Sequence, residues 1–331
     1  MALTARERPV AASIAMTNGS GSRTYDSSSR VRPTLASTMT PQRSAKDPGS
    51  AKENPMNPEA DIEPGAPVVV GIDGSQAAVH AAEWAIDEAI ARDVPMRLVH
   101  VTAAESIASQ STNDVPLGIE YAETVLRQAS AAINVTGKDV EIETAIVPGD
   151  PATVLLAESR NAELVCIGSV GVGVVAERFL GSQATALAEG AHCPVAIIRD
   201  HGETPRPDRR WIAVAVKAST DNEDIVVTAM EEARLRRAPV LAIGLGTQDF
   251  DFIPYDELDR LVEAWRQRYP DVHVHPATIQ SGLLQYLNDE EEPIDLVVVG
   301  ADEAERVAQI VGPHSHPIAR HPECSVLIVR R

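Results

Sequence analysis

Aromatic side chains are scarce in this chain. Three Phe, three Trp and five Tyr make up 3% of 331 residues, while 44% of the chain is hydrophobic. A core of that make-up is built from small aliphatic residues, which suits strands and helices packed closely in an α/β protein. Cysteine is nearly as rare. Cys166, Cys193 and Cys324 are odd in number and no CxxC pair occurs. That argues against a disulfide framework and predicts a reducing, cytoplasmic compartment, with Cys166 as a small core residue. Positive charge is short as well, with a formal net charge of −19. Lys plus Arg against Asp plus Glu count 8 and 7 in residues 1–66, 7 and 18 in 67–200, and 14 and 23 in 201–331. Neither half offers the basic face that wrapping nucleic acid requires. No apolar run approaches the roughly 20 residues that span a membrane.

Residues 1–66 lack the apolar stretch of a secretory signal and are rich in Ser, Thr, Pro and Arg. Such a segment buries too little apolar surface to offset the entropy of ordering, so a disordered tail is expected. Met16, Met39 and Met56 fall inside it and leave the start of translation open.

Beyond this tail the chain uses one plan twice. "APVVVGIDGS" (66–75) is a β-branched run ending in a turn, and the Ala-rich "QAAVHAAEWAIDEAIAR" reads as a helix. "MRLVHV", "VEIETAIV" (140–147), "LVCIG" (164–168) and "PVAIIR" (194–199) read as further strands. Helices are expected over 114–134, after Asp150-Pro151 as N-cap and first helical position, and over "SQATALAEGAHC". In the second half "RWIAVAVKAS" (210–219) matches "APVVVGIDGS", and "IDLVVVG" (294–300) matches "AELVCIG". "GPHSHPIARHPECSVLIVR" (312–330) matches "GSQATALAEGAHCPVAIIR" (181–199), and "DHGETPRPDR" (200–209) reads as the linker. The expected organisation is a tail (1–66) and two modules (67–200 and 201–331), each a doubly wound parallel five-stranded α/β sheet. The apolar closing strands would be exposed edges in isolation, so the modules are expected to pair through them.

The stretch "GSVGVGVVAERFLGS" (168–182) is the main candidate site. It follows the fourth strand, where doubly wound sheets bind ligands. Glycines allow close backbone approach, successive N–H groups can form an anion nest, and Gly181-Ser182 opens a helix whose N-terminus favours phosphate. It is neither a Rossmann GxGxxG nor a Walker A loop. A flexible glycine-rich loop with an ordinary N-cap is the competing reading. Gly168-x2-Gly171-x9-Gly181-Ser182, with "VVVGIDGS" before it and "HCPVAIIR" after it, resembles the signature of the ATP-binding branch of the universal stress protein family, in the two-module form known from actinobacteria.

That resemblance implies strand order 3-2-1-4-5, ATP with or without Mg2+ as ligand, a stress-response role and homo-oligomers. It implies that Asp73, flanked by Gly71 and Gly74, contacts the nucleotide, and that the Val101 backbone reads the adenine edge. Gly168, Ser169, Gly171, Val172, Gly173, Gly181 and Ser182 would cradle the phosphates. From the residues alone, Asp73 also reads as a turn-capping Asp and Val101 as a core residue. In the second module Lys217 replaces Asp73, Ala215 replaces Gly71 and Ala218 replaces Gly74. Its loop lacks the second glycine and carries Asp302, Glu303 and Glu305, so that site is expected to have lost ATP.

No catalytic residue is expected. Phosphoryl transfer usually recruits a lysine and metal-holding carboxylates, and the glycine loop holds only Arg178. Binding is therefore favoured over the alternative of a weak ATP hydrolase or nucleotidyl-transfer enzyme; a purely structural interaction protein is the third reading. An unknown protein partner is expected, and no membrane or nucleic acid. His273, His275, His314, His316 and His321 offer no recognised metal spacing and read as solvated or capping. "NDEEEP" (288–293) and "GTQDFDFIPYDEL" (246–258) read as surface loops, the latter able to dock a partner.

Overall fold

A computed structural model describes residues 65–103, 117–169, 182–199, 210–217, 222–244, 253–278, 294–303 and 324–330. The expectations for the tail up to residue 64, for the linker 200–209, for Ala218, for 288–293, for Glu305 and for His314, His316 and His321 lie outside the described residues.

The first half runs β1 (Val68–Gly71), α1 (Gln76–Arg92), β2 (Met96–Thr102), α2 (Leu117–Val135), β3 (Ile142–Pro148), α3 (Pro151–Glu158), β4 (Leu164–Gly168), α4 (Ser182–Gly190) and β5 (Val195–Ile198). The second runs β6 (Trp211–Val216), α5 (Glu223–Arg236), β7 (Val240–Gly244), α6 (Tyr255–Arg268), β8 (Val274–Thr278), β9 (Ile294–Gly300) and β10 (Ser325–Val329). Local chemistry accounts for the boundaries. The Ser75 hydroxyl accepts the Ala78 N–H and starts α1, and the Asp150 carboxylate does the same for Thr153 ahead of Pro151 at α3. Helix α1 ends at Asp93 in the left-handed region (φ 55°), and α5 ends at Arg237 in the same conformation (φ 53°), each with a proline two residues further on. In both, the next N–H closes the turn, Val94 on Ala89 and Ala238 on Ala233.

The strands among the described residues form one ten-stranded sheet, ordered β3-β2-β1-β4-β5-β10-β9-β6-β7-β8. Each half therefore has the order 3-2-1-4-5. Neighbours are parallel except at the seam, where β5 and β10 pair antiparallel with Ala196 opposite Leu327. The closing strands thus do pair, and two expected parallel sheets become one mixed sheet. Across the seam the Arg199 N–H donates to the Ser325 hydroxyl. Two cores result, one on each face, and both run through both halves. One face packs α1, α2, α5 and α6; the other packs α3 and α4. On α1 the buried residues are alanines, Ala77, Ala78, Ala81, Ala82, Ala85 and Ala89, apart from Ile86 and Glu88, and small side chains let the helix axis lie close to the strands.

The three cysteines are buried and unpaired. Burial pushes the Cys193 thiol up to about 11 and Cys324 up to about 12. One sequence expectation fails in part: 246–258 is not all loop. Ile253 is buried, Tyr255 starts α6, and Leu258 and Val262 are fully buried four residues apart. The acids Asp256 and Glu257, which look like a solvated loop, sit in the first turn of α6, where the helix dipole favours them.

Candidate functional site

The ends of β1, β2 and β4 converge on a cleft of about 100 Å3, walled by Ile72, Val99, Val101, Leu155 and Ile167 and edged by Asp73, Gly168 and Gln183. This is the topological switch point of the first half, because the chain leaves β1 towards β2 on one side and β4 lies on the other.

The turn after β1 is held by three side chains. His100, buried on β2, places Nδ1 at 2.7 Å from the Ile72 carbonyl oxygen. The Tyr121 hydroxyl of α2 donates to the Asp73 carbonyl oxygen at 3.2 Å, and the two rings meet edge to face. The Asp73 carboxylate accepts the Ser75 N–H at 2.9 Å, and Ser75 in turn caps α1. The turn-capping reading of Asp73 is therefore observed, and the same half-buried residue edges the cleft. Gly74 has φ +91°, and a β-carbon there would stand 2.6 Å from the Tyr121 hydroxyl oxygen and 2.9 Å from Val125. Glycine is required at that position both for its backbone angle and for space.

Gly71 and Gly168 both line the cleft, but their lack of a side chain also serves packing. A β-carbon on Gly168 would lie 2.7 Å from the Ala77 carbonyl carbon, and one on Gly71 would lie 3.1 Å from Ile167. Ser169 is buried and donates its N–H to the Ile198 carbonyl. Val101 is half-buried and lines the cleft from β2. Ser182 opens α4 and is exposed. Gly171, Val172, Gly173 and Gly181 lie outside the described residues. Sequence reasoning missed Ser75, His100, Tyr121 and Gln183. Only Ser75 carried a readable signal, as a Ser directly before an apolar helical pattern.

At the matching place in the second half the chemistry differs. Lys217 follows β6 as Asp73 follows β1. Its ammonium pairs with the exposed Asp302 and, at 2.6 Å, with the buried Glu303, both in the turn after β9. Against the lowering effect of burial, these two carboxylates raise Lys217 above the usual lysine value. The Asp302 carboxylate also stands where a β-carbon on Gly300 would be, 2.7 Å away. An ion triad stands at the position that corresponds to the Asp73 edge of the first half's cleft.

Among the described residues no group of three His, Cys, Asp or Glu side chains is placed to hold a metal ion. His275 packs edge-on against Trp211, and His273 is exposed. No helix among the described residues is long and apolar enough to cross a membrane.

Comparison with known proteins places this geometry. A universal stress protein of Archaeoglobus fulgidus shares the fold with a TM-score of 0.59 at 16% identity, covering 80% of this chain and 96% of that one. In sequence the chain is 46% identical over 264 residues to universal stress protein Rv2624c of Mycobacterium tuberculosis, covering 80% of this chain and 96% of the relative. It is 36% identical over 278 residues to Rv3134c of the same organism, covering 82% and 98%. The family model described as universal stress protein family matches twice, at residues 66–199 and 215–330. The chain belongs to the universal stress protein family.

Proposed function

We propose that the first half of the chain, residues 67–200, holds one adenine nucleotide in the cleft beyond β1, β2 and β4, and that occupancy sets conformation or choice of protein partner in a stress response. The tail 1–66 and the module 201–331 then stand outside ligand binding, and whole chains associate further as homo-oligomers in the cytoplasm. The observation that carries this reading is the contrast between the two halves: an open cleft edged by Asp73 and Gly168 in one, and the Lys217–Asp302–Glu303 triad in the other.

ATP is the nucleotide the family resemblance implies, with or without Mg2+. The apolar walls of the cleft suit a purine, and the cleft volume lies below the roughly 300 Å3 from which ligand pockets usually start. Ile72, Val99 and Val101 would take the base, Asp73 the ribose or Mg2+, and the segment 168–182 the phosphates through backbone N–H groups. Bound ATP would supply a polyphosphate charge whose contacts with 168–182 bias the chain between states. Binding without efficient turnover is favoured over hydrolysis, because no lysine is present in 168–182 to stabilise charge developing on a transferred phosphoryl group.

Mass spectrometry of the ligand released from denatured, freshly purified protein, followed by isothermal titration with ATP, AMP and cyclic AMP, tests the reading. The expected result is one nucleotide per chain. Gly171→Ala should weaken binding by about tenfold to a hundredfold, from lost charge-assisted hydrogen bonds. Two equivalent sites per chain, or full affinity in Gly171→Ala, would overturn it. Phosphate release by the wild type that is lost in Asp73→Ala would move the reading to an ATP hydrolase.

A further inference from the structure

The far end of α1 from the cleft meets α5 of the second half, and the contact is ionic rather than apolar. Glu88 and Arg92 of α1 and Glu232 and Arg236 of α5 are equivalent i,i+4 pairs, each ahead of its helix's left-handed C-cap. Glu88 is fully buried and Glu232 is 2% exposed. The shares of positive charge are unequal. Glu88 accepts from both guanidinium groups, Arg92 and Arg236. Glu232 accepts the Arg236 Nε–H, at 2.9 Å. The Arg236 guanidinium is fixed over the Trp84 ring, 4.1 Å from its centroid. The two buried carboxylates thus meet at one guanidinium, that of Arg236, and two carboxylates sharing a site away from water are relieved by one proton between them.

We propose that Glu88 and Glu232 share one proton, and that this proton is a pH-sensitive latch holding the first helix of one half against the first helix of the other. Glu88 is the member clamped by two guanidinium groups. Glu232 carries the proton. The groups that face Glu232 are Glu88 and Arg92 on α1, Arg236 on its own helix and the Cys166 thiol on β4 beneath. Burial holds Cys166 well above the usual thiol value, so it stays neutral over the working range. Burial first, and then the Glu88 charge, push the Glu232 carboxyl up to about 8.

The folded value lies above the ordinary carboxylate value of 4.5, and this sets the direction of the pH dependence. The latch contribution is fully present below 4.5, declines as pH rises, and is gone once pH has passed about 8. Above that, two buried carboxylates face each other with both guanidinium groups already engaged. The junction therefore tightens on acidification. This inference does not rest on the nucleotide reading, although α1 and its cap bring Ala78 and Ser75 to the cleft.

Glu232→Gln tests it in the full-length chain. The amide keeps the shape, accepts from Arg236 and donates to Glu88, so it imitates the protonated form at every pH. Thermal melts from pH 5.5 to 9 should show the wild type losing roughly 5 °C relative to the variant between pH 6 and pH 8.5, with no further divergence above. A second readout is the emission of Trp84 in a Trp211→Phe/Trp265→Phe background. It should titrate with a midpoint near 8 and lose that titration on adding Glu232→Gln. A melting difference constant across pH, or a Trp84 titration unchanged by Glu232→Gln, would overturn the latch. Glu88→Gln removes the negative charge that two guanidinium groups share and should lower the melting temperature at every pH. If it instead flattened the pH dependence while Glu232→Gln left it intact, the proton carrier would be misassigned.

Discussion

Asp73 and Lys217 stand at the same point of the duplicated plan, each just beyond the central strand of its half, and they carry opposite charge. Asp73 turns onto the Ser75 N–H, while Lys217 bridges Asp302 and Glu303. Lys217→Ala should remove the ammonium that Asp302 and the buried Glu303 share and destabilise the protein by about 1.5–3 kcal/mol, the range for a hydrogen bond to a charged group. Nucleotide stoichiometry should stay unchanged. Urea unfolding beside isothermal titration reads both; a stability unchanged within about 0.5 kcal/mol would show that the triad is only a surface pairing.

Gly74 and Gly137 both have positive φ, +91° and +69°, but only Gly74 is crowded. Gly137→Ala should cost about 1 kcal/mol, the left-handed penalty alone. Gly74→Ala should cost more, because its methyl group meets Tyr121 and Val125 and loosens the Asp73 turn. Equal losses in denaturant melts would mean that Tyr121 swings away freely.

At Gly168 an added methyl group meets helix backbone, which has nowhere to go without moving α1. Gly168→Ala should destabilise by about 1–3 kcal/mol, as overpacking does. Stability and ligand affinity should fall together. A variant that loses affinity at wild-type stability would assign Gly168 to ligand contact alone.

The N-cap at Ser75 gives a simpler case. Ser75→Ala removes the acceptor for the Ala78 N–H and should cost about 1 kcal/mol, whereas Ser75→Asp should recover most of it. Calorimetry on the three proteins checks the order.

The strands themselves and the pairing of β5 with β10 were legible because the apolar strands are short, bounded by turns, and repeated with equivalent flanks, whereas the strand order within each half was implied by the family resemblance. The seam was readable for a physical reason: "VAII" and "SVLIV" are too apolar to stay unpaired. Helix α6 was not legible. Its apolar stripe of Leu258, Val262 and Trp265 is interrupted by charged residues and preceded by the Phe-containing stretch 246–252. At the site, Asp73 and the glycines were visible as a turn and a loop. His100 and Tyr121 were not, because each reaches the Asp73 turn from a different element, and no local pattern encodes a contact between distant segments. Nor did the spacing reveal that Gly168 is small to admit Ala77. The Glu88–Glu232 pair was hidden for the same reason, since its members lie on helices of different halves of the chain.

The antiparallel seam between Ala196 and Leu327 has a consequence for dosage. Two separate polypeptides joined through such edges come apart when diluted. Here both partners sit on one polypeptide and meet at an effective concentration set by the connection between them, in the millimolar range for a short flexible tether. The paired state is therefore present in a cell that holds a handful of copies as fully as in one that holds thousands.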